Sequence, residues 1–340
     1  FLANRYRPWH RLGVITSKRV EMFGHTYDFT VAEQQRPVGK APRILLENLY
    51  GNARITGADV EQLKVSGRKT VRALESADAA RADQQSALEI SSQGEQVVVR
   101  TNQDRVTGEQ RVTADLEVTV PRSANLEIRA RSGEFEIGEL AGNLEITSDR
   151  ARVRLRKMGG SVRLNLRRSD GVTAQEVKGG VEIAGDRGGE VDLQDIGGPV
   201  SVSGSFSGPL QFRNIANPVR FQSDRTDLRV EKVSGQLFTD LRELTGRNLV
   251  GPISLETRSR DIQLEDFTGE LKLALDHGDI TLRPAQATLA RIEARTRRGR
   301  IELALPEAAR FHLRATTEQG EVHNDFGPAL KSASEGRRAT

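Results

Sequence analysis

The run Gly180-Val181-Glu182-Ile183-Ala184-Gly185-Asp186-Arg187-Gly188-Gly189-Glu190-Val191-Asp192-Leu193-Gln194-Asp195-Ile196-Gly197-Gly198-Pro199-Val200-Ser201-Val202 decides the fold. It repeats one phrase: a turn residue, then apolar-polar-apolar. Val181-Glu182-Ile183, Val191-Asp192-Leu193 and Val200-Ser201-Val202 are three copies. Glycines 180, 189, 198 and 208 stand nine, nine and ten residues apart. Alternation over so few residues sends side chains to opposite faces of a strand. Glycine, or asparagine at Asn217, is expected to supply the positive φ of a sharp corner.

The phrase recurs outward in both directions. Earlier copies are Leu144-Glu145-Ile146, Val153-Arg154-Leu155 and Val162-Arg163-Leu164. Later ones are Leu210-Gln211-Phe212, Val219-Arg220-Phe221, Ile253-Ser254-Leu255, Ile262-Gln263-Leu264, Leu271-Lys272-Leu273, Ile280-Thr281-Leu282 and Ile301-Glu302-Leu303, with Gly320-Glu321-Val322 last. One such strand cannot bury its inner face alone, but two per coil, stacked, enclose a shared aliphatic interior. The pattern therefore predicts an all-β chain: a single-stranded parallel β-helix, or solenoid, with coils of roughly 18–20 residues. An antiparallel sandwich would suit the spacing. The turn signal, however, returns at one phase of every unit, and Asn-Gly or Asp-Gly hairpin pairs are scarce.

Composition agrees with a narrow interior. Of 340 residues, 36% are hydrophobic and only 4% aromatic, so Val, Ile and Leu carry the apolar load. Lys plus Arg is 51 against 47 Asp plus Glu, a net charge of +4, which does not point to nucleic acid. With no cysteine there are no disulfides, thiolate metal sites or Cys nucleophiles.

The chain divides into three parts. Residues 1–43 read as an irregular N-terminal segment. Residues 44–330 read as the solenoid domain, its regular coils running from about Asn125 to Val322. Residues 331–340 read as a polar tail. The Ala-rich stretch 71–89, with no Gly or Pro, predicts a helix that could cap an open end of the stack. At the start, Phe1-Leu2-Ala3 runs into Asn4-Arg5-Tyr6-Arg7-Pro8-Trp9, the pattern of a membrane border. A membrane tether or signal sequence upstream of Phe1 is one expectation, and a basic terminus the other.

Several stretches resemble the bacterial putative-adhesin domain family, β-strand-repeat proteins of unknown function. They are Asn48-Leu49-Tyr50-Gly51-Asn52-Ala53-Arg54-Ile55, the helical break after Lys69, Leu116-Glu117-Val118-Thr119-Val120-Pro121, the ladder of repeats, and Glu321-Val322-His323-Asn324-Asp325-Phe326. Gly57-Ala58-Asp59 stands where members often carry Trp-Asp. The resemblance covers roughly residues 44–330. It implies a non-catalytic protein of the cell envelope, periplasmic or extracellular, with a membrane anchor or a membrane-associated complex as its setting.

Chemistry-bearing patterns are sparse. His10, His25, His277, His312 and His323 lack metal-binding spacing, and His277 reads as a corner residue. Gly185–Leu193 only faintly echoes calcium-binding nonapeptide repeats, because Gly198-Pro199-Val200 has lost the acid. No cofactor, metal or catalytic residue is expected. A carbohydrate-active solenoid enzyme would draw on Glu134, Glu136 and Glu139, or on Glu190, Asp192 and Asp195, yet alternation turns both sets outward. The more suggestive feature is basic: Arg150, Arg152, Arg154, Arg156 and Lys157 are followed by Arg163, Arg167 and Arg168, and a second group is Arg291, Arg295, Arg297, Arg298 and Arg300. The candidate anion-binding face is Arg152, Arg154, Arg156, Arg163 and Arg167, then Arg295, Arg297 and Arg298. Stacked as rows, these would hold an anionic surface polymer or an acidic protein. The plainer reading is a solvated face balanced by cross-strand acids. The expected function is a structural or interaction rod. A polysaccharide lyase or hydrolase and a self-assembling scaffold are the alternatives.

Overall fold

The computed structural model describes residues 24–327, together with 334–335 and 338–339. The membrane-border stretch at residues 1–11 and most of the expected polar tail lie outside them. Strands β1 (His25–Pro37), β2 (Arg43–Glu47), β3 (Ala53–Ala58) and β4 (Gln62–Ala73) precede helix α1 (Ser76–Gln85). β5 (Glu89–Gln93), β6 (Gln96–Arg100) and a short 3-10 turn at Gln103–Arg105 lead to β7 (Arg111–Pro121). Four long strands come next: β8 (Asn125–Gly138), β9 (Leu144–Met158), β10 (Val162–Val177) and β11 (Val181–Ile196). Then come β12 (Val200–Phe206), β13 (Leu210–Ile215), β14 (Val219–Ser223), β15 (Thr226–Thr239) and β16 (Glu243–Ser259). β17 (Asp261–Phe267), β18 (Leu271–His277), β19 (Ile280–Pro284), β20 (Ile292–Arg298) and β21 (Ile301–Leu303) complete one 21-stranded sheet.

The architecture is the expected β-solenoid, of about nine turns. Each of β8–β11 forms most of one coil, bent midway, so its first half lies in one face and its second half in the other. Register is parallel from coil to coil: Leu126, Leu144, Val162, Val181, Val200 and Val219 align in one inward row. Phe135, Val153, Val172, Val191 and Leu210 form a facing row. All are buried in a single continuous cluster. Each such side chain contributes about 1.5–3 kcal/mol by leaving water.

The expected role of glycine holds at Gly269, Gly278 and Gly299, with φ of 83, 131 and 152°, but not at the tight corner that closes each coil. The left-handed position is held by Glu139, Lys157, Glu176, Asp195, Asn214, Asn248 and Asp266, with φ between 51 and 59°. None is glycine, and Asn217 is not among them. Each is followed by a buried apolar residue: Leu140, Met158, Val177, Ile196, Ile215, Leu249 and Phe267. The nearby glycines serve close approach instead. A Cβ on Gly142 would lie 2.0 Å from the Ala124 carbonyl oxygen, and one on Gly179 would lie 2.4 Å from that of Gly160.

At the N-terminal end the chain does not stack in sequence order. β2 lies between β6 and β8, and β3 between β7 and β8, so an early coil is inserted into a later one. β4 and β1 extend the stack antiparallel beyond β7, and β5 does so beyond β6. Within the segment read as irregular, His25–Pro37 is thus a 13-residue strand. The helix is shorter than expected, because the alternation of Lys69, Val71 and Ala73 keeps β4 extended to Ala73 and β5 resumes at Glu89. α1 covers a small second cluster of Val71, Ala73, Ala79, Ala82 and Val112. Lys69, buried beneath it, pairs with Asp83 and donates to the Asp83 and Ser86 carbonyls at 2.7 and 3.2 Å. A cation at a helix C-terminus is favourable.

One coil runs backwards. β15 is antiparallel to β13 and β14 on one side and to β16 on the other, after which parallel stacking resumes. The two hairpins that reverse the chain, at Asp224–Arg225 and Asp240–Arg242, lie at the same corner. Arg260, only 8% exposed, joins them. Its Nε donates to the Asp240 carbonyl at 2.6 Å and its Nη1 to Thr226 Oγ1. Burial lowers the Arg260 pKa, against the opposing charge of Asp240.

Asp240 Oδ1 accepts the Arg242 and Glu243 N–H groups at 2.7 and 2.8 Å. Desolvation pushes its pKa up, but those backbone donors, with Arg242 and Arg260, outweigh it and hold the carboxyl below its ordinary value. Its stabilisation is therefore complete above the unfolded pKa of about 3.9 and is lost as pH falls through the folded value. Asp240→Asn should show a shallower loss of urea midpoint below about pH 4 than the parent chain. Equal acid slopes would refute the contribution.

The coils also stop earlier than the pattern suggests. β21 ends at Leu303, and residues 304–327 contain no strand. β22 (Ser334–Glu335) and β23 (Arg338–Ala339) form a separate two-stranded pair.

Candidate functional site

The eight arginines singled out by sequence do not form one surface. Arg152, Arg154 and Arg156 lie along a single strand, β9. Their row neighbours are Glu134 and Gly171, Glu136 and Thr173, and Gly138 and Gln175. Arg152 and Arg154 pair with Glu134 at 3.9 and 3.3 Å, and Arg156 with Glu176 at 3.8 Å. Arg163 is on the other face, between Glu145 and Glu182, and pairs with Glu182 at 3.1 Å. Arg167 lies at the bend between faces, 3.8 Å from Asp149. Arg295, Arg297 and Arg298 are on β20, in the last coil, far along the stack.

One arginine row is built; two of its members, Arg150 and Arg168, belong to the basic group read from the sequence, and Arg187 was not among them. Arg150, Arg168 and Arg187 occupy successive positions in register at the bend of β9, β10 and β11. Strand spacing puts such neighbours about 4.8 Å apart. Arg150 reaches Asp170 at 3.5 Å; Arg168 and Arg187 have no carboxylate within ion-pair distance among the described residues. The signal was an arginine just after the first apolar half of three successive repeats.

Beside this row runs a groove of about 770 Å³. Its floor includes Leu49, Ala130, Ser148, Leu166 and Gly185. Its walls carry Arg129, Arg131 and Arg167 among the acids Glu47, Asp149 and Asp186. Asp149 sits between Arg131 and Arg167, at 3.7 and 3.8 Å. Arg131 also donates to the Tyr50 hydroxyl at 3.2 Å, and that bond, with the attraction of Tyr50 and Asp149, raises its pKa.

The head of the groove is a buried polar knot. Gln103 donates to the Tyr50 and Val112 carbonyls, Thr101 donates to Gln103 Oε1 at 2.9 Å, and Asn48 donates to the Ala114 carbonyl at 3.0 Å. Asn102, left-handed at φ 51°, lines the same end, and its buried Oδ1 has no hydrogen-bond partner. The Asn48–Asn52 stretch thus helps to fix the groove's end wall.

The carboxylates weighed for an enzyme are engaged elsewhere. Glu136 pairs with Arg54 at 3.2 Å, and Asp192 with Arg213 at 2.8 Å. Glu139 is bound by Lys157 and Arg122 at 2.9 and 3.0 Å; their hydrogen bonds lower its pKa, so it stays ionised and has no proton to give at neutral pH. Among the described residues no three His, Cys, Asp or Glu side chains converge as a metal site, and no helix is long and apolar enough to cross a membrane.

Comparison with solved structures finds faint likeness. A putative cell adhesion protein from Clostridium sporogenes is 10% identical, with 81% of this chain and 99% of that one covered and a TM-score of 0.26. A putative adhesin from Bacteroides fragilis is 10% identical, covering 80% and 96%, TM-score 0.26. One from Parabacteroides merdae is 9% identical, covering 82% and 95%, TM-score 0.25. No curated protein matches the chain. The profile of the family described as Toastrack DUF4097 matches residues 43–340, nearly the whole solenoid and the residues beyond its last coil. The chain belongs to the Toastrack DUF4097 family.

Proposed function

We propose that the protein is a non-catalytic interaction rod of the bacterial cell envelope, which holds an elongated anionic partner along the bend of its coils. The observation that supports this is the in-register row Arg150, Arg168 and Arg187 beside the groove. A solenoid repeats its coils at a fixed spacing, so it aligns like charges only where the sequence keeps one residue type in phase. Along β9 the other arginines face acids of neighbouring coils and are neutralised by them. Guanidinium groups in a row suit carboxylate or sulfate groups repeated along a polymer. The family resemblance supports the envelope location, and the charge supports the partner class.

Heparin and polygalacturonate affinity of two triple variants tests the reading. Arg150→Ser/Arg168→Ser/Arg187→Ser should bind either polymer at least tenfold more weakly at low salt. Arg152→Ser/Arg154→Ser/Arg156→Ser should change it less than threefold, because those side chains already face Glu134 and Glu176. Equal losses in both variants, or no binding by the parent chain, would discard the groove as the site.

A further inference from the structure

The C-terminal coil leaves its outer edge open. Among the described residues, β20 pairs with β18 alone and β21 with β19 alone. In the coils below, the first inward residue donates its N–H upward: Leu271 to the Arg291 carbonyl at 2.9 Å, and Ile280 to that of Arg300 at 2.8 Å. Ile292 and Ile301 hold those positions in the last described coil, and among the described residues no strand lies above them. The inward row is uncovered there too. Ile292 and Ala294 are half-buried and Ile301 is 43% exposed, where their counterparts below are buried.

The chain's own continuation has suitable apolar residues. Phe311 and Leu313 follow Ile292 and Ala294 by 19 residues each. In that register, however, Arg314 would stand over Arg295, and like charges directly opposite destabilise a strand pair. The segment bridges to the stack at Thr288 to Arg310, and Phe311 packs edge-to-face on Phe326 at 5.1 Å. Meanwhile Arg295, Arg297, Arg298 and Arg300 are exposed, with no carboxylate within ion-pair distance among the described residues. This edge thus offers free backbone donors, uncovered aliphatic positions in alternate register, and unpaired positive charge on the outward side.

We propose that this edge docks an extended acidic segment of a partner protein as the next strand of the stack. Its apolar side chains cover Ile292 and Ala294, and its alternate carboxylates face Arg295 and Arg297. Main-chain bonds supply affinity and the alternating side chains specificity, the physics of strand addition. The N-terminal end is closed by antiparallel strands and α1, so docking at the other end completes the rod without propagating a filament.

The test uses the whole chain and two fluorescent heptapeptides, one alternating valine with glutamate and one alternating valine with lysine. The parent chain should bind the glutamate peptide and, at the same concentrations, not the lysine one. Arg295→Glu/Arg297→Glu should weaken the glutamate peptide at least tenfold and gain binding of the lysine peptide. Ala294→Pro removes an edge N–H that carries no ladder bond, a tolerated place for proline, and should also weaken the glutamate peptide at least tenfold. The Arg150/Arg168/Arg187 triple variant should bind it like the parent, which separates this edge from the groove. Absence of glutamate-peptide binding by the parent overturns the proposal. So does a failure of the charge swap to exchange the two peptides, an arm that does not depend on how Ala294→Pro folds. Undiminished binding by a folded Ala294→Pro would mark simple polyanion capture and overturn strand addition as well.

Discussion

Arg260→Ala is expected to lower the unfolding free energy by about 3–5 kcal/mol, since it removes two buried hydrogen bonds from a charged donor, each worth about 1.5–3 kcal/mol. The reversed coil creates the need for this residue. Its two hairpins end at one corner, leaving the Thr226 hydroxyl and the Asp240 carbonyl facing the interior, where an unmet polar group costs about 1–3 kcal/mol. Alanine strips both of their charged donor and leaves a void in place of a long side chain. Arg260→Lys keeps the charge but not the fork that spans both hairpins, and should recover only part of the loss. Arg152→Ala, an exposed arginine on an ordinary coil, should stay within about 0.5 kcal/mol of the parent. Urea midpoints decide the comparison. Hydrogen exchange adds a location: amides around Leu228, Val230 and Leu237 should lose protection before those around Val162. Arg260→Ala and Arg152→Ala with the same midpoint would refute a bridging role for Arg260.

The reversed coil also marks where sequence reading ended. Leu228, Val230 and Leu237 alternate like every other inward set, because period two is blind to strand direction. The trace of reversal is in the corners. The left-handed residues come 18 or 19 positions apart from Glu139 to Asn214, and the next is Asn248. The gap is nearly two coils because β15 rounds the same corner in reverse, at Ser234–Gly235 between Asn214 and Asn248, without a left-handed residue. Likewise nothing local in Arg43–Ala58 shows that it slots between later strands; β2 would look the same at either end of the stack. What was legible was the repeat, its length and its inward residues, since burial of one face imposes them on each strand separately.

The candidate site was less legible for a related reason. Arg152, Arg154 and Arg156 looked like a basic face because they alternate along one strand. Their neutralisation by Glu134 and Glu176 runs between coils, where partners are about 18–20 residues away. Conversely, Arg150 and Arg168 stood among many other basic residues in the sequence, and they form a row with Arg187 only when the register is known. The groove floor joins Leu49, Ala130, Leu166 and Gly185, a set that no linear motif contains.

Gly179→Ala is expected to cost about 3 kcal/mol, the upper part of the usual overpacking range, while Glu176→Gly, three residues earlier, should change stability by no more than about 1 kcal/mol. The contrast separates two reasons for glycine at a corner. Gly179 is not in the left-handed region, so alanine has no dihedral objection there. Its Cβ would instead lie 2.4 Å from the Gly160 carbonyl oxygen and 2.5 Å from the carbonyl carbon. Both are backbone atoms of the coil below, held by their own ladder, so relief requires prising two coils apart. A methyl group at one corner therefore disturbs burial in the rows on either side. Glu176 has φ 59°, a conformation that glycine adopts without strain. Glycine there relieves that strain, loses an exposed pair with Arg156 at 3.8 Å, and gains freedom in the unfolded chain, so the effects largely cancel. If Glu176→Gly were the costly change and Gly179→Ala the neutral one, glycine would serve the turn and not the stacking. The close approach of coil to coil would then cease to explain why Gly142, Gly160 and Gly179 recur in phase.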